Sequence, residues 1–208
     1  MGEIADRIQE LSVPAMSCVK CGLSTTRTNV VFGDGNPETP LVIVGEGPGQ
    51  NEDATGKPFV GRAGMLLDEV LRENQLTRKY IYITNVIKCR ACITENGRTR
   101  NRPPSTLEIQ TCLPWLEQQL AIIQPLVILC LGAPSANNII HKDFKMTQER
   151  GIFFESKYAK YAVAALHPAY ILRQAGQTFE LARRQFSEDI AAARRKVIEA
   201  KKEARVSG

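Results

Sequence analysis

The sequence predicts an α/β protein of three layers, in which helices cover both faces of a central four-stranded parallel sheet. Four short runs of β-branched and aliphatic residues recur along the chain, and helical patterns separate them. These runs are apolar at consecutive positions, as in strands that are buried on both faces. The alternation of strand and helix predicts one doubly wound domain over residues 1–208. The predicted strands are 41–44, 80–86, 126–131 and 161–166.

Apolar spacing and capping residues predict the helices between the strands. A stripe at i, i+3, i+4 and i+7 spacing predicts a helix over 62–75. Ser105 and Glu108 fit a capping box, so the next helix is predicted to begin there and to continue to Pro125, with a kink at Pro114. Two further helices are predicted, a short one with Pro134 in its first turn and a basic one over about 178–202.

The composition excludes several classes of protein. Hydrophobic residues make up 43% of the chain and charged residues 24%, as in ordinary globular domains and unlike disordered or fibrous chains. No apolar run approaches the ~20 residues of a membrane span, and the first residues lack the pattern of a signal peptide. We therefore expect a soluble, cytoplasmic protein that binds no membrane. The net charge of +5 is compatible with a polyanionic partner but does not require one.

Polar residues follow the predicted strands at the points where the strands end. The first strand leads into the glycine-rich loop 45–49, the second ends at Asn85, and the fourth leads into His167. Ligands of open parallel sheets bind at the carboxyl ends of the strands, so a carboxylate, an amide and an imidazole are predicted to converge there. The loop does not fit a dinucleotide fingerprint, because Gln50 replaces the third glycine and Pro48 removes a backbone donor.

Four motifs follow one another along the chain: GEGPGQNED at 45–53, TGKPFVGRAG at 55–64, NVIKCR at 85–90 and HPAY at 167–170. Together they resemble the family 4 uracil-DNA glycosylases, which carry an iron-sulfur cluster. The similarity extends from Cys18 to the last helix. It implies the fold of these glycosylases and a monofunctional hydrolase that cleaves the N-glycosidic bond of deoxyuridine in DNA. Such an enzyme releases uracil and leaves an abasic site for base excision repair.

The resemblance implies that Gly47, Gly49, Phe59 and Asn85 bind uracil. Phe59 corresponds to the aromatic residue that stacks on the extruded base, and a core phenylalanine is the alternative. The Asn85 amide can accept from N3–H and donate to O4 of uracil, whereas cytosine presents the reverse pattern. The alternative for Asn85 is an asparagine that forms a turn.

The resemblance also implies a catalytic set of Glu46, Glu52, Asn101 and His167. In the family, the imidazole at the His167 position bonds O2 of uracil and stabilises the negative charge of the departing base. The residue that activates water does not transfer, because Gly47 stands where better-known uracil glycosylases have an aspartate. Our hypothesis is that Glu46 and Asn101 position water and offset the oxocarbenium-like charge. Glu52 is then expected to order the pocket and to crowd the space of a thymine methyl group.

Tyr170, Ile171, Leu172 and Arg173 follow the His-Pro-Ala motif, and the resemblance implies that they bind DNA. Apolar side chains at such positions wedge into the duplex and replace lost stacking, while an arginine can meet a phosphate. Ordinary packing at a helix start is the alternative for Ile171 and Leu172.

Six cysteines in a chain without a secretory pattern indicate metal ligation or burial rather than disulfides. The resemblance implies that Cys18, Cys21, Cys89 and Cys112 hold a [4Fe-4S] cluster with a structural role, so the chemistry itself needs no added metal or cofactor. It places the N-terminal cluster-binding segment at about 12–30. Four thiolates also suit zinc, and their spacing does not separate the two metals.

A second possible set of zinc ligands includes Cys92. The pairs Cys18-x-x-Cys21 and Cys89-x-x-Cys92 together imitate a zinc ribbon. Cys92 lies in a stretch, 91–99, that looks inserted relative to the family, and Cys112 is therefore preferred as the fourth ligand.

The long loop 91–102 departs from the family pattern. A related branch traps uracil-DNA covalently through a histidine in this loop, and no histidine occurs here, so we expect turnover. Two rival functions are a cluster-bearing DNA-binding module without catalysis and a zinc-stabilised nucleotide-binding protein. We expect a monomer that acts on uracil-containing DNA, and the sequence reveals no protein partner such as a sliding clamp or a downstream repair enzyme.

Overall fold

A six-stranded mixed sheet forms the centre of the protein, whose computed structural model describes residues 2–206. In chain order the strands are β1 (Asp34–Gly35), β2 (Leu41–Gly45), β3 (Tyr82–Asn85), β4 (Cys92–Glu95), β5 (Arg98–Asn101), β6 (Val127–Leu131), β7 (Phe154–Ser156) and β8 (Ala159–Ala165). The sheet order is β1-β3-β2-β6-β8-β7, and its four central strands are parallel. The predicted parallel sheet is therefore confirmed, since each predicted run contains one of these strands or overlaps it.

Two short edge strands and a hairpin were not predicted. β1 pairs with β3 and β7 pairs with β8, both antiparallel, which makes the sheet mixed. β4 and β5 form a separate two-stranded sheet within the stretch that looks inserted. Asn96 and Gly97 connect these two strands with positive φ angles of 51° and 74°, the conformation that a tight hairpin turn requires.

Eight α-helices and two short 3-10 helices, Gly22–Thr25 and Arg78–Tyr80, flank the sheet or connect its strands within the described residues. The α-helices are α1 (Glu3–Met16), α2 (Gln50–Thr55), α3 (Arg62–Glu73), α4 (Thr106–Ile123), α5 (Ala133–Ile139), α6 (Met146–Glu149), α7 (Pro168–Ile171) and α8 (Gly176–Val206). The capping box of α4 is present, because Ser105 Oγ accepts from the backbone N–H of Glu108 at 3.3 Å and Glu108 Oε2 accepts from that of Ser105 at 2.7 Å. Helix α1 was not predicted, and α8 is longer at both ends than the predicted range.

Side chains that alternate along the central strands pack into two separate cores. Val42 and Val44 face the core that α1, α4 and α5 cover. Leu41 and Ile43 face the opposite core, which α3 and α8 cover. This alternation places one helical layer on each face of the sheet, and the predicted three-layer architecture is confirmed. Within residues 2–206, the structure has no helix that is both long and apolar enough to cross a membrane.

Candidate active site

A cavity of about 430 Å³ lies at the carboxyl ends of the central strands. All eight residues that the sequence analysis assigns to catalysis or to uracil binding line it. They are Glu46, Gly47, Gly49, Glu52, Phe59, Asn85, Asn101 and His167. The parallel register of the sheet causes this convergence, because each strand delivers its C-terminal residues to the same edge.

Asn85 ends β3 beside Gly45 of β2, and its side chain is almost fully buried at 1% exposure. Within residues 2–206, Asn85 Oδ1 is the one buried side-chain nitrogen or oxygen atom without a hydrogen-bond partner. A Cβ at Gly45 would lie 2.4 Å from this oxygen, so glycine there lets the amide reach the cavity. A buried acceptor without a partner is costly, and its position at a cavity indicates that a ligand donor completes it.

The Phe59 ring forms an apolar wall of the cavity and is 6% exposed. Its centroid lies 5.9 Å from that of the His167 ring, and the two planes are inclined by 34°. A Cβ at Gly45 would also lie 2.6 Å from Phe59 Cζ, so this glycine accommodates both the ring and the Asn85 amide. The backbone of Phe59 has a φ angle of +53°, a left-handed conformation that is uncommon for a bulky side chain.

Glu52 supports the loop around the cavity through both carboxylate oxygens. Oε1 accepts from the backbone N–H groups of Val60 and Gly61, each at 2.8 Å, and Oε2 accepts from that of Gly49 at 3.1 Å. The carboxylate thus joins the start of α2 to the turn that follows Phe59. The ordering role that the sequence analysis gives to Glu52 stays a prediction.

Glu46 and Asn101 face the cavity in different electrostatic settings. Burial raises the pKa of the Glu46 carboxyl above its ordinary value. Asn101 ends β5, and its Oδ1 accepts from Arg90 Nε at 2.7 Å, which leaves its amide N–H groups as donors. Glu46 also lines a second cavity of about 720 Å³, which shares His167 and Ala169 with the first.

His167 directly precedes α7, and the structure defines the protonation of its ring. The backbone N–H of Ala169 donates to Nδ1 at 3.1 Å, so Nδ1 is an acceptor and Nε2 carries the proton. Burial, followed by the positive charge of Arg173, lowers the pKa of His167 to about 4, while Glu52 acts weakly in the opposite direction. The imidazole is therefore a neutral N–H donor at neutral pH.

The predicted DNA-binding residues separate into exposed and buried positions. Tyr170 is 43% exposed and Arg173 is exposed, so both side chains can reach a ligand at the surface. Ile171 is fully buried in the core beneath α3 and α8, and Leu172 is partly buried against the same core. The burial of Ile171 favours helix-start packing over insertion into DNA.

Four of the six cysteines lie near one another beside α1 and α4. Burial raises the pKa of the Cys89 thiol, and it raises that of the Cys112 thiol to about 11. Neighbouring cysteines raise both values further: Cys21 and Cys18 act on Cys89, and Cys89 and Cys21 act on Cys112. Two N–H groups point at the sulfurs: Arg27 Nη1 donates to Cys89 Sγ at 3.4 Å, and the backbone N–H of Lys88 donates to Cys112 Sγ at 3.2 Å.

The other two cysteines lie elsewhere. Cys92 lies in the hairpin opposite Asn101, and Cys130 is buried within β6. In the described part of the chain, no three His, Cys, Asp or Glu side chains are grouped so that they could hold a single metal ion.

The sequence analysis gives no role to two residues of the 85–90 motif, Lys88 and Arg90. Lys88 is 2% exposed, and its Nζ donates to Thr84 Oγ1 at 2.7 Å, to Gln119 Oε1 at 2.6 Å and to the Asn85 carbonyl at 2.8 Å. Arg90 orients Asn101. Their place in the motif was the available signal for both residues.

Helices on both faces of a mixed sheet, with an apolar ring, a buried amide and an imidazole around one cavity at its edge, define an α/β protein with a candidate ligand-binding site. The comparison with known proteins identifies the class further, because the sequence model of the uracil DNA glycosylase superfamily matches residues 32–191. The chain belongs to this superfamily.

Curated relatives of the chain include several proteins named type-4 uracil-DNA glycosylase. The protein from Thermotoga maritima is 44% identical over 178 residues, which cover 85% of this chain and 88% of the relative. The protein from Archaeoglobus fulgidus is 40% identical and covers 83% and 84% of the two chains. The protein from Sulfurisphaera tokodaii is 39% identical and covers 80% and 76%. The resemblance seen in the sequence motifs is thereby confirmed.

Proposed function

We propose that this protein is a monofunctional uracil-DNA glycosylase, which hydrolyses the N-glycosidic bond of deoxyuridine in DNA. It releases uracil and leaves an abasic site for base excision repair. The observation that carries the proposal is the unpartnered Asn85 Oδ1, which lies in the same cavity as Phe59 and His167. This cavity lies at the edge of the sheet, and the target base must leave the stacked duplex to enter it.

Asn85 and Phe59 recognise the base. Asn85 Oδ1 accepts from N3–H of uracil and Nδ2 donates to O4, so the oxygen gains the partner that it lacks. Cytosine offers an acceptor at N3 and a donor at N4, which opposes this amide. Phe59 stacks on the base, while Gly47 and Gly49 line the wall of the cavity, where a Cβ would crowd Ile87 and Glu52.

His167 stabilises the leaving group. Its Nε2–H donates to O2 of uracil, where negative charge accumulates as the glycosidic bond breaks. A neutral donor keeps its proton throughout this step, and its bond to O2 strengthens as the charge develops. An interaction that is stronger in the transition state than in the ground state raises the rate of reaction.

Glu46 and Asn101 act on the sugar side of the bond. The Glu46 carboxylate offsets the oxocarbenium-like charge of the sugar and, with the Asn101 amide, orients the attacking water. Glu52 acts indirectly, because its oxygens hold three backbone N–H groups of the surrounding loop. We therefore assign Glu52 as a positioning residue.

The substrate strand crosses the surface beside α7. Exposed Tyr170 and the partly buried Leu172 replace stacking at the site of the extruded base, and Arg173 meets a phosphate. Ile171 supports them from the core. The enzyme acts as a cytoplasmic monomer on uracil-containing DNA.

The thiols of Cys18, Cys21, Cys89 and Cys112 hold a [4Fe-4S] cluster. The donor set fits this group, because four soft sulfur donors lie near one another and N–H groups point at two of the sulfurs. When bound, the cluster supplies a cross-link between the N-terminal segment, the loop that follows β3, and α4. Purified protein is expected to be brown, and Cys112→Ser is expected to bleach it whereas Cys92→Ser leaves its colour. A colourless protein with stoichiometric zinc would contradict this assignment.

The test of activity is a labelled oligonucleotide with a single uracil, incubated without added metal and then treated with alkali. Strand cleavage that requires alkali is expected of a monofunctional glycosylase. A stable protein-DNA adduct would indicate covalent trapping, and binding without cleavage would indicate a non-catalytic DNA-binding module.

A further inference from the structure

We propose that Arg78 is a positioning residue that holds Phe59 in place against the base. This role rests on the proposed stacking of Phe59 on uracil. Arg78 begins a short 3-10 helix (Arg78–Tyr80) before β3 and does not line the cavity. Its Nη1 donates to the Pro58 carbonyl at 2.9 Å, and its Nη2 donates to the Phe59 carbonyl. Its Nε donates to Asp68 Oδ1 on α3 at 2.9 Å, which anchors the guanidinium.

The turn at Phe59 needs such an anchor because its backbone is strained. A φ angle of +53° is disfavoured for a side chain with a Cβ, and such conformations persist where the surroundings impose them. Glu52 holds the N–H groups that follow Phe59, while Arg78 holds the carbonyls of Pro58 and Phe59. The two side chains thus fix the turn from both sides.

Helix α3 packs tightly against the carbonyl group of Phe59. A Cβ at Gly64 would lie 1.8 Å from the Phe59 carbonyl oxygen, so the first turn of the helix closes directly on this peptide. The planar guanidinium can bond two carbonyls and a carboxylate at once. A lysine ammonium is a single point of charge and does not reproduce this fork.

The position of the ring matters because it shares the cavity with the groups that read and release the base. Phe59 packs against Gly45 and lies 5.9 Å from the His167 ring. A displacement of about 1 Å at such a site can cost about 10²-fold in rate, even when its cause is remote. Loss of Arg78 is therefore expected to misplace the stacking surface without removing any group that touches the substrate.

The experiment compares Arg78→Met and Arg78→Lys with a matched control, Arg183→Met. Arg183 binds Glu69 and Glu73 of the same helix α3, and its side chain is 24% exposed, as is that of Arg78. The readouts are single-turnover uracil release, inhibition by free uracil, DNA affinity and thermal unfolding. Arg78→Met is expected to slow release at least about tenfold and to weaken inhibition by a similar factor, with DNA affinity changed less than about twofold. Arg78→Lys is expected to recover only part of the loss, and Arg183→Met to leave all three functional readouts within about twofold.

The decisive step repeats Arg78→Met in a Phe59→Ala background. If Arg78 acts through Phe59, the second change causes little further loss, because coupled residues are not additive. Additive losses would overturn the role of Arg78 while leaving that of Phe59 intact. If Phe59→Ala alone left release and uracil inhibition unchanged, the stacking role itself would fail and the proposal with it. Should Arg78→Met fail to fold, Arg78→Lys and Asp68→Asn support the same comparison.

Discussion

The backbone N–H of Ala169 donates to His167 Nδ1 at 3.1 Å, so the structure itself selects the tautomer of the imidazole. Ala169 lies within α7, two residues after His167, and the intervening Pro168 starts the helix with its fixed φ angle. The His-Pro-Ala motif thus orients the imidazole so that its Nε2–H group can face the cavity. The low pKa of His167 keeps that nitrogen a neutral donor.

Replacement of His167 by alanine is expected to slow uracil release about 10²–10³-fold, since a donor to the developing negative charge is lost. DNA affinity is expected to change less than about threefold, because the bond to O2 strengthens only as the base departs. Single-turnover rates and equilibrium binding measure the two quantities separately. His141→Ala is the control, because that histidine is exposed, bonds Glu149 and lines neither cavity. Equal losses of rate and affinity would contradict the role of His167.

The acidic limb of the pH profile should report Glu46. Burial raises the pKa of this carboxyl, so it becomes protonated at a higher pH than an exposed glutamate as the solution is acidified. The rate is expected to fall through that raised pKa because the carboxylate form offsets the charge of the sugar. His167 does not contribute near pH 6–7, since its pKa is lowered to about 4. The measurement is kcat/KM against pH for the wild type and for Glu46→Gln.

Glu46→Gln is expected to be slow and to lack this acidic limb, whereas His167→Ala should be slow and should retain it. A limb at the same pH in Glu46→Gln would show that another group titrates, and the assignment of Glu46 would be wrong.

The sequence was sufficient to predict the central sheet and the edge where the site lies. Runs such as 126–131 are apolar at every position, and this pattern is typical of a parallel strand that is buried on both faces. The edge strands β1 and β7 have only two and three residues, too few for a periodic pattern. Their pairing depends on neighbours that are distant in the chain.

The lining of the cavity was also predictable, although the support that Arg78 gives to it was not. Phe59, Asn85 and His167 belong to recognisable motifs, whereas Arg78 belongs to none. Its bonds to the Pro58 and Phe59 carbonyls arise only after the chain has turned at Phe59. The buried state of Ile171 likewise depends on α3 and α8 packing over it, which a local pattern of four residues does not specify.

Asn85→Asp is expected to slow uracil release at least about 10²-fold, because a carboxylate cannot donate to O4. A weak release of cytosine is expected in return, since the exocyclic amine of cytosine can donate to the carboxylate. Paired oligonucleotides with a single uracil or a single cytosine measure both outcomes. Asn51→Asp is the control, because it adds the same charge at the exposed rim of the cavity. Full uracil-only activity in Asn85→Asp would overturn the assignment of base recognition.

Arg150→Met is expected to destabilise the fold by about 1–3 kcal/mol, because it removes the hydrogen-bond partner of a buried carboxyl, whose pKa burial already raises to about 6. Arg150 Nη1 contacts both carboxylate oxygens of Asp189 at 2.6 Å, and Asp189 is only 4% exposed within α8. The double variant Arg150→Met with Asp189→Leu should recover most of the loss, since it removes the buried carboxyl as well. Lys157→Met breaks an ion pair with Glu117 whose lysine is 71% exposed, and it should cost less than about 1 kcal/mol. Urea unfolding of the four proteins measures these differences, and equal losses from Arg150→Met and Lys157→Met would show that the buried pair contributes no more than a surface contact.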